Sequence, residues 1–437
     1  MLQHALVAFS IAAIVAPFSY YVGLAARVLR LPQITGYLVS GIICGPYVLG
    51  ILSSESVLDL NIIEGACLSI IGLAAGAELD WPSLSRARKQ VFGITAGVCL
   101  VSWLMCYLAL DWTGSQFMPN TAGPHLTAAA TLGATLMMAR SPASAIAVLK
   151  EVDGKGPFCG LVMAVVVVKD VLVIMAFALN LELIHAVILP QGSEMRLLNF
   201  LLPLISVTLS MALGAFGGLL LGTLLLKTRA SSPPAKETST HQVAEAQQAS
   251  RARQAGVLLM ATCVFQVAHY FQAEPLLACV TMGMVVVNRR HERAEKDKDE
   301  LHMLLAQIMS FTNVAFFGLA GASLKLSALK TVLWPALVIA AVRLVAIYIG
   351  AGVGCLATST SPEFRRNFWL SMVTQAGVAM GLARLAGTRF PLWGPHFQTF
   401  MMSIILINLL LGPPLFRLAL VRVGEIKNIP GSAASGV

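Results

Sequence analysis

A set of polar and charged side chains stands inside stretches of sequence that are otherwise apolar. They are Arg140, Ser141, Lys169, Asp170, Arg343, Thr374 and Gln375. A charge near the middle of a lipid bilayer costs roughly 3 kcal/mol on insertion scales, so it is rarely found there without a purpose. Charged residues at that depth mark ion pathways and proton relays in membrane proteins. The pattern therefore predicts that these residues serve an ion or a proton and that the rest of the chain positions them.

The composition is that of a chain embedded in lipid. Of the 437 residues, 57% are hydrophobic and 12% are charged, whereas about 25% of the residues in a typical soluble domain are charged. The formal net charge is +9, but the basic residues stand in short loops between apolar stretches. This placement predicts an integral membrane protein and excludes a nucleic-acid-binding protein.

Thirteen stretches are apolar and long enough to cross a bilayer, at about 20 residues per crossing. They lie at 4–26, 32–52, 58–79, 91–110, 126–149, 157–183, 197–226, 254–271, 274–289, 303–324, 331–357, 367–388 and 397–421. The predicted fold class is therefore an all-α integral membrane protein with about 13 transmembrane helices.

The basic residues are divided unequally between the two sides of the predicted bundle. Twenty-two of the thirty Lys and Arg residues follow odd-numbered spans or lie at the C-terminal end, five lie in the other loops, and three lie inside spans. Cytoplasmic loops carry the excess of Lys and Arg. We therefore expect the N-terminus outside and the C-terminus in the cytoplasm, in a plasma or inner membrane rather than an organelle.

A polar segment rich in Ser, Thr, Ala and Gln, at 227–253, divides the chain. This composition predicts a flexible cytoplasmic linker. The linker separates a first half, 1–226, from a second half, 254–422, and a short cytoplasmic tail, 423–437, follows.

The two halves repeat two features at an offset of seven spans. The string Ala75-Gly76-Ala77 near the end of span 3 recurs as Ala320-Gly321-Ala322 near the end of span 10. Span 5, broken at Pro142, corresponds to span 12, which has Thr374-Gln375-Ala376-Gly377 at its middle. An odd offset makes the two copies cross the membrane in opposite directions. We expect an inverted-topology repeat with two crossed discontinuous helices, whose freed carbonyls and half-helix ends can coordinate an ion.

Four motifs resemble the Kef-type branch of the monovalent cation/proton antiporters. They are Leu31-Pro32-Gln33-Ile34-Thr35-Gly36-Tyr37-Leu38 with Gly41 and Gly45-Pro46, Ser141-Pro142-Ala143 with Ala145-Ile146-Ala147-Val148, Val168-Lys169-Asp170 with Leu179-Asn180-Leu181, and Thr374-Gln375-Ala376-Gly377-Val378-Ala379. The similarity covers essentially all thirteen spans. It implies a homodimeric secondary transporter that exchanges Na+ or K+ for protons by alternating access. Each protomer would contain a dimerisation domain and a six-helix core in which two broken helices cross.

The resemblance assigns roles to four of the polar residues. The acidic residue on the sixth helix, which binds cation and proton in turn, corresponds to Asp170, with Lys169 beside it. The basic residue on the eleventh helix corresponds to Arg343. The crossing points correspond to Ser141 and Gln375. With nearby backbone, the hydroxyl and amide oxygens of Ser141, Thr374 and Gln375 are expected to contribute to the ion site.

The chain departs from the family at two positions. Members often have Asp-Asp, Asn-Asp or Gln-Asp where this chain has Lys169-Asp170, and a small or acidic residue where it has Arg140. Arg140 and Arg343 are therefore assigned charge-balancing roles, while Lys169 either pairs with an acid permanently or loses its proton during transport. Three basic groups around a cation site leave an alternative open, an anion or weak-acid transporter on the same fold that uses Arg140, Lys169 and Arg343.

The expected partners are Na+ or K+, H+, membrane lipid and a second copy of the chain, with neither nucleic acid nor nucleotide. No Gly-x-Gly-x-x-Gly motif or P-loop follows span 13, and the eight cysteines contain no Cys-x-x-Cys pair. No cofactor, no metal beyond the transported ion and no enzymatic activity are expected. A channel and a non-transporting receptor are further alternatives, and the repeated filter or charged ring typical of a channel is missing from the sequence.

Overall fold

The computed structural model describes residues 2–29, 31–53, 55, 60–79, 81–117, 123–184, 197–230, 240–289, 294–323 and 326–426. Over these residues the chain is helical and contains no β-strand. The helices are α1 Leu2–Val28, α2 Gln33–Cys44, α3 Asn61–Ala77, α4 Trp81–Arg86, α5 Arg88–Phe117, α6 Pro124–Met138, α7 Pro142–Glu151, α8 Pro157–Leu183, α9 Leu197–Ala230, α10 Thr240–Tyr270, α11 Pro275–Val287, α12 Ala294–Ala322, α13 Leu326–Ala357, α14 Pro362–Asn367, the 3-10 helix Phe368–Met372, α15 Gly377–Arg389 and α16 Gly394–Val423.

Every predicted span overlaps a helix, and the prediction of an all-α membrane protein is confirmed. Among the described residues, seven helical segments are long and apolar enough to cross a membrane, and three apolar helices are shorter. One of the seven segments, Pro124–Glu151, contains both α6 and α7. The exact number of thirteen crossings stays a prediction.

The boundaries of the linker predicted over 227–253 need correction. Helix α9 continues to Ala230 and α10 begins at Thr240, while 231–239 lie outside the described residues. The segment after Thr240 is rich in Ala, Gln and Glu, which have high intrinsic helix propensity. Its polar composition was therefore compatible with a helix that extends beyond the apolar part of span 8. Most of the tail, 427–437, also lies outside the described residues.

The helices form two groups, which we call the core group and the frame group. The core group contains α5 to α8 and α13 to α16, and the frame group contains α1 to α3 and α9 to α12. Helices within a group pack closely, and the groups meet mainly where α7 contacts α3 and where α8 contacts α9. In the core group α5 crosses α13 at small residues, because Gly97 and Gly350 bring the two backbones together.

The expected inverted repeat is present as two equivalent helix pairs. Gly76 of α3 lies against the carbonyl of Val280 on α11, and Gly321 of α12 lies against the carbonyl of Leu38 on α2. A side chain at either glycine would overlap the backbone of the neighbouring helix. The pair α3–α11 thus matches the pair α12–α2, as an offset of seven spans requires. The small-residue strings at Gly76 and Gly321 therefore correspond to the same helix–helix contact in the two halves of the repeat.

Candidate functional site

Two interrupted helices cross in the core group. Helix α6 ends at Met138 and α7 begins at Pro142, while the 3-10 helix ends at Met372 and α15 begins at Gly377. The interruptions touch each other, because the backbone N–H of Ser141 donates to the carbonyl of Thr374 over 3.0 Å. All seven polar residues singled out from the sequence are at least nine-tenths buried.

Local sequence explains where the helices break. Pro142 has no N–H to give to the preceding turn and is well suited to the first position of α7. Ser141 is the N-cap of α7, and its Oγ accepts a hydrogen bond from the N–H of Ser144 over 3.3 Å. In the second interruption Ala376 is fully extended, with φ −161° and ψ −151°, directly before Gly377. The predicted interruptions are confirmed at both places.

Arg343 of α13 binds the C-terminal ends of α6 and the 3-10 helix, which are the first halves of the two interrupted helices. Its guanidinium donates to the carbonyl of Met137 over 2.8 Å, to that of Ala139 over 2.9 Å and to that of Val373 over 2.6 Å. These carbonyls stand at the C-terminal ends of α6 and the 3-10 helix, where partial negative charge accumulates. Arg343 is fully buried. Its charge is compensated by these three backbone carbonyls rather than by a carboxylate.

Arg140 makes a second set of bonds across the crossing. Its Nε donates to the carbonyl of Ser371 over 3.0 Å, and its Nη1 donates to the carbonyl of Ser141 over 3.0 Å. The guanidinium also lies over the ring of Phe416, 5.3 Å from the centroid. Its Nη2 is buried without a hydrogen-bond partner in the described part of the chain. The two N–H groups of Arg140 Nη2 are therefore unused.

Gln375 and Thr374 act as structural parts of the crossing. The Gln375 amide donates to the carbonyl of Leu136 over 2.7 Å, and its oxygen accepts from the amide of Asn408 over 2.9 Å. Thr374 packs against Gly412, where any side chain would overlap with it. Asn408, which is fully buried on α16, thus completes the network that connects the second interruption with the first.

Helix α8 carries Lys169 and Asp170 past this crossing. The N-terminus of α8 is held by Glu425, whose carboxylate accepts from the backbone N–H groups of Phe158 and Cys159 over 2.7 and 2.8 Å. Such a carboxylate satisfies two of the free donors of the first turn and complements the helix dipole. Asp170 then comes thirteen residues into α8, near its middle.

Asp170 faces a small pocket between the core group and the frame group. The pocket has a volume of about 10 Å³, about the room that one water molecule needs, and its walls come from α7, α8 and α11. They are Pro142, Val167, Asp170, Val171, Ile174, Leu276, Leu277 and Val280. Asp170 is 9% exposed, and its Oδ1 has no hydrogen-bond partner among the described residues. An acid group buried without a partner is costly, so Asp170 is the candidate residue for binding a proton or a cation.

Lys169 is buried beside Asp170 but does not bind it. Lys169 is completely buried, and its Nζ has no hydrogen-bond partner in the parts of the chain that the structure covers. Adjacent side chains on a helix point about 100° apart, which explains why no ion pair forms between these neighbours. Electrostatic interactions nevertheless connect Asp170 with both Lys169 and Arg140.

The structure brings Arg140, Ser141, Arg343, Thr374 and Gln375 together at one crossing. Asp170 lies beside it, next to Pro142, with Lys169 as its neighbour on α8. Sequence reasoning did not place two residues of this region at the site, Asn408 and Glu274. For Asn408 the sequence predicts packing or hydrogen bonding between helices, and the structure shows its amide donating to Gln375. Glu274 is the first residue of the predicted span 274–289, and an acidic side chain at the end of a span is not by itself a sign of an ion site.

Comparisons with known proteins agree with this geometry. The model of the family described as sodium/hydrogen exchanger, transmembrane, matches residues 11–420. Two solved structures of a sodium proton antiporter, MjNhaP1 from Methanocaldococcus jannaschii, are similar over nearly their whole length. The electron-microscopy map is 19% identical, covers 97% of this chain and 99% of that chain and has a TM-score of 0.67.

The structure of the same antiporter at pH 8 is 18% identical, covers 97% of this chain and 96% of that chain and has a TM-score of 0.60. At such low identity these two matches show the fold. No curated protein matches the chain. The family match extends over most of the sequence, and on that ground the chain belongs to the transmembrane sodium/hydrogen exchanger family of multi-pass membrane transporters.

Proposed function

We propose that this protein exchanges a monovalent cation, Na+ or K+, for protons by alternating access, and that Asp170 binds the two in turn. The observation that carries the proposal is the unpartnered Oδ1 of Asp170, buried at the pocket between the core group and the frame group. A carboxylate in this position binds one proton or one cation at a time. Relative motion of the two groups would open the pocket to one side and then to the other.

The other residues support Asp170 in different ways. Arg343 and Arg140 neutralise the half-helix ends and keep the two interruptions crossed. Ser141 and Thr374 provide hydroxyl and backbone oxygens near the first turn of α7, and Gln375 fixes the second interruption. Lys169 balances the negative charge of Asp170 when the cation has left. Its free Nζ supports this role over a permanent ion pair.

Several finer features belong to the same proposal. The four motifs quoted above support the Kef-type branch and keep K+ beside Na+ as a substrate. The division of Lys and Arg supports an outside N-terminus and a cytoplasmic C-terminus, in a plasma or inner membrane. A homodimer in lipid, formed through the frame group, is the expected assembly. All these features follow from the resemblance and from the charge pattern.

Reconstituted exchange tests the proposal directly. In proteoliposomes with an internal pH dye, Na+ or K+ added outside should release protons from vesicles of the unmodified protein. Asp170→Asn should lower this exchange to the level of empty vesicles. Asp111→Asn, the same change on α5 away from the pocket, should leave it intact. Proton-coupled cation flux that survives in a correctly folded Asp170→Asn protein would refute the assignment.

A second candidate function, transport of an anion or weak acid, also has an observation in its favour. Both Arg140 Nη2 and Lys169 Nζ are buried without partners among the described residues, and either could hold an anion. The same vesicles separate the two functions. Flux that depends on the added anion and does not change when Na+ is replaced by K+ or choline would favour anion transport. Dye signals that follow the cation and ignore the anion favour the exchanger.

A further inference from the structure

A second carboxylate, on the frame group, stands beside the pocket of Asp170. Glu274 is the residue directly before α11, and Leu276, Leu277 and Val280 of α11 form the pocket wall that faces Asp170. Glu274 is therefore within one helical turn of the residues that contact the pocket. Its own backbone N–H donates to Ser210 Oγ of α9 over 2.7 Å, so the start of α11 is fixed on the frame group.

Contacts also show towards which end of the bundle Glu274 lies. At the other end of α11, the Asn288 amide donates to the carbonyl of Leu79, close to the cavity where α5 and α8 begin. Helix α11 thus runs opposite to α5 and α8. Its beginning, with Glu274, lies towards the end of the bundle at which α5 carries Asp111.

The charges around Asp170 indicate what this second acid does. Arg140 and Lys169 place positive charge next to Asp170, and this weakens cation binding. Glu274 adds negative charge near Asp170 from the frame group, at the start of the helix that forms the facing wall. Two carboxylates on the two sides of one pocket repel each other, and a cation bound between them relieves this repulsion. Glu274 therefore offsets the basic residues that make the core group an unusual cation site.

We propose that Glu274 is a cation-positioning residue. It attracts a monovalent cation into the pocket from the end of the bundle that carries Asp111, and the cation then binds Asp170. The inference rests on the proposed function, because it takes Asp170 as the exchange site. Glu274 belongs to the frame group and Asp170 to the core group. Any relative motion of the groups changes the distance between the two carboxylates. The cation is consequently held more tightly in one arrangement than in the other.

Half-saturating cation concentrations in proteoliposomes test the proposal. We expect Glu274→Gln to raise the half-saturating concentration of Na+ roughly tenfold, as removal of a nearby charge in a partly buried site predicts, with a maximal rate close to that of the unmodified protein. Glu274→Thr should give the same shift, because Thr removes the charge and is well suited to the N-cap position of α11, where the Glu274 side chain makes no capping bond. Glu274→Asp should keep most of the original affinity, and Asp111→Asn should change nothing.

Each outcome has a distinct meaning. If both neutral variants fold and keep the original half-saturating concentration while Asp170→Asn is inactive, Glu274 has no positioning role and the proposed function stands. If the maximal rate and the thermal stability fall with no change in half-saturation, Glu274 is purely structural. If Asp170→Asn remains active, the proposed function itself is wrong. A lower half-saturating concentration of an anion in Glu274→Gln would assign the pocket to anions.

Discussion

At the scale of single residues, the buried basic side chains have different tasks. Arg343 donates to three carbonyls at two half-helix ends, so the carbonyl dipoles of the backbone compensate its charge. Arg140 donates to two carbonyls while its Nη2 makes no hydrogen bond, and the Lys169 ammonium group makes none either, among the residues that the structure describes. Arg343 thus holds the two half-helix ends together, and Lys169 is the basic group best placed to respond to a change of charge at Asp170.

The contribution of Arg343 to the stability of the fold should be measurable. Lysine keeps the charge of Arg343 but cannot reach three carbonyls in the same fork geometry. Arg343→Lys should therefore leave buried carbonyls unsatisfied and destabilise the protein by about 3 kcal/mol, seen as a lower thermal unfolding midpoint in detergent. Arg366→Lys, the same change at an exposed position of α14, is the matched control and should leave the midpoint unchanged. Equal midpoints for the two variants would contradict the role of Arg343.

At the scale of elements, the inverted repeat decides which helices touch. Gly76 and Gly321 occupy equivalent positions, and each brings a helix into backbone contact with a neighbour. A chance recurrence of small residues would not place both glycines in the same kind of contact. The repeat therefore explains how one packing arrangement is used twice to build the frame group.

Alanine substitutions test this equivalence. A Cβ at Gly76 or Gly321 overlaps with the carbonyl of the neighbouring helix, and the helices have to separate. Gly76→Ala and Gly321→Ala should both lower stability, by about 1–3 kcal/mol, the usual effect of overpacking. Gly352→Ala on α13, where a Cβ meets nothing within 4 Å, should be neutral or slightly stabilising. A large effect at only one of the equivalent glycines would argue against a shared packing arrangement.

Much of this arrangement could be predicted from the sequence, since Pro142 and the string from Thr374 to Gly377 are local signals for broken helices. That Arg343 binds carbonyls of two separate half-helices depends on the crossing itself, which no local pattern encodes. Glu274 was missed for a similar reason. It stands in a turn between two apolar spans, and only the packing of α11 beside the pocket brings this turn near Asp170.

At the scale of the whole molecule, an ion pair and hydrogen bonds connect the core group with the frame group at one end of the bundle. Glu78 at the end of α3 binds Lys150 of α7 over 2.5 Å, and Glu151 accepts from the backbone N–H of Gln33 at the start of α2. Next to these contacts a cavity of about 630 Å³ opens between the ends of α3, α5, α7 and α8. These contacts must change if the core group moves relative to the frame group.

The ion pair between Glu78 and Lys150 is partly exposed, so its loss should make local opening between α3 and α7 only modestly easier, by about 1 kcal/mol or a few-fold in the population of the opened form. Glu78→Gln should speed hydrogen–deuterium exchange at the end of α7, residues 146–152, and the charge-reversed double variant Glu78→Lys with Lys150→Glu should restore protection. Asp153→Asn breaks an exposed pair with Lys155 that joins no two helices, and it should not alter exchange in this segment. Unchanged protection in Glu78→Gln would mean that the contact between Glu151 and Gln33 alone holds this end closed.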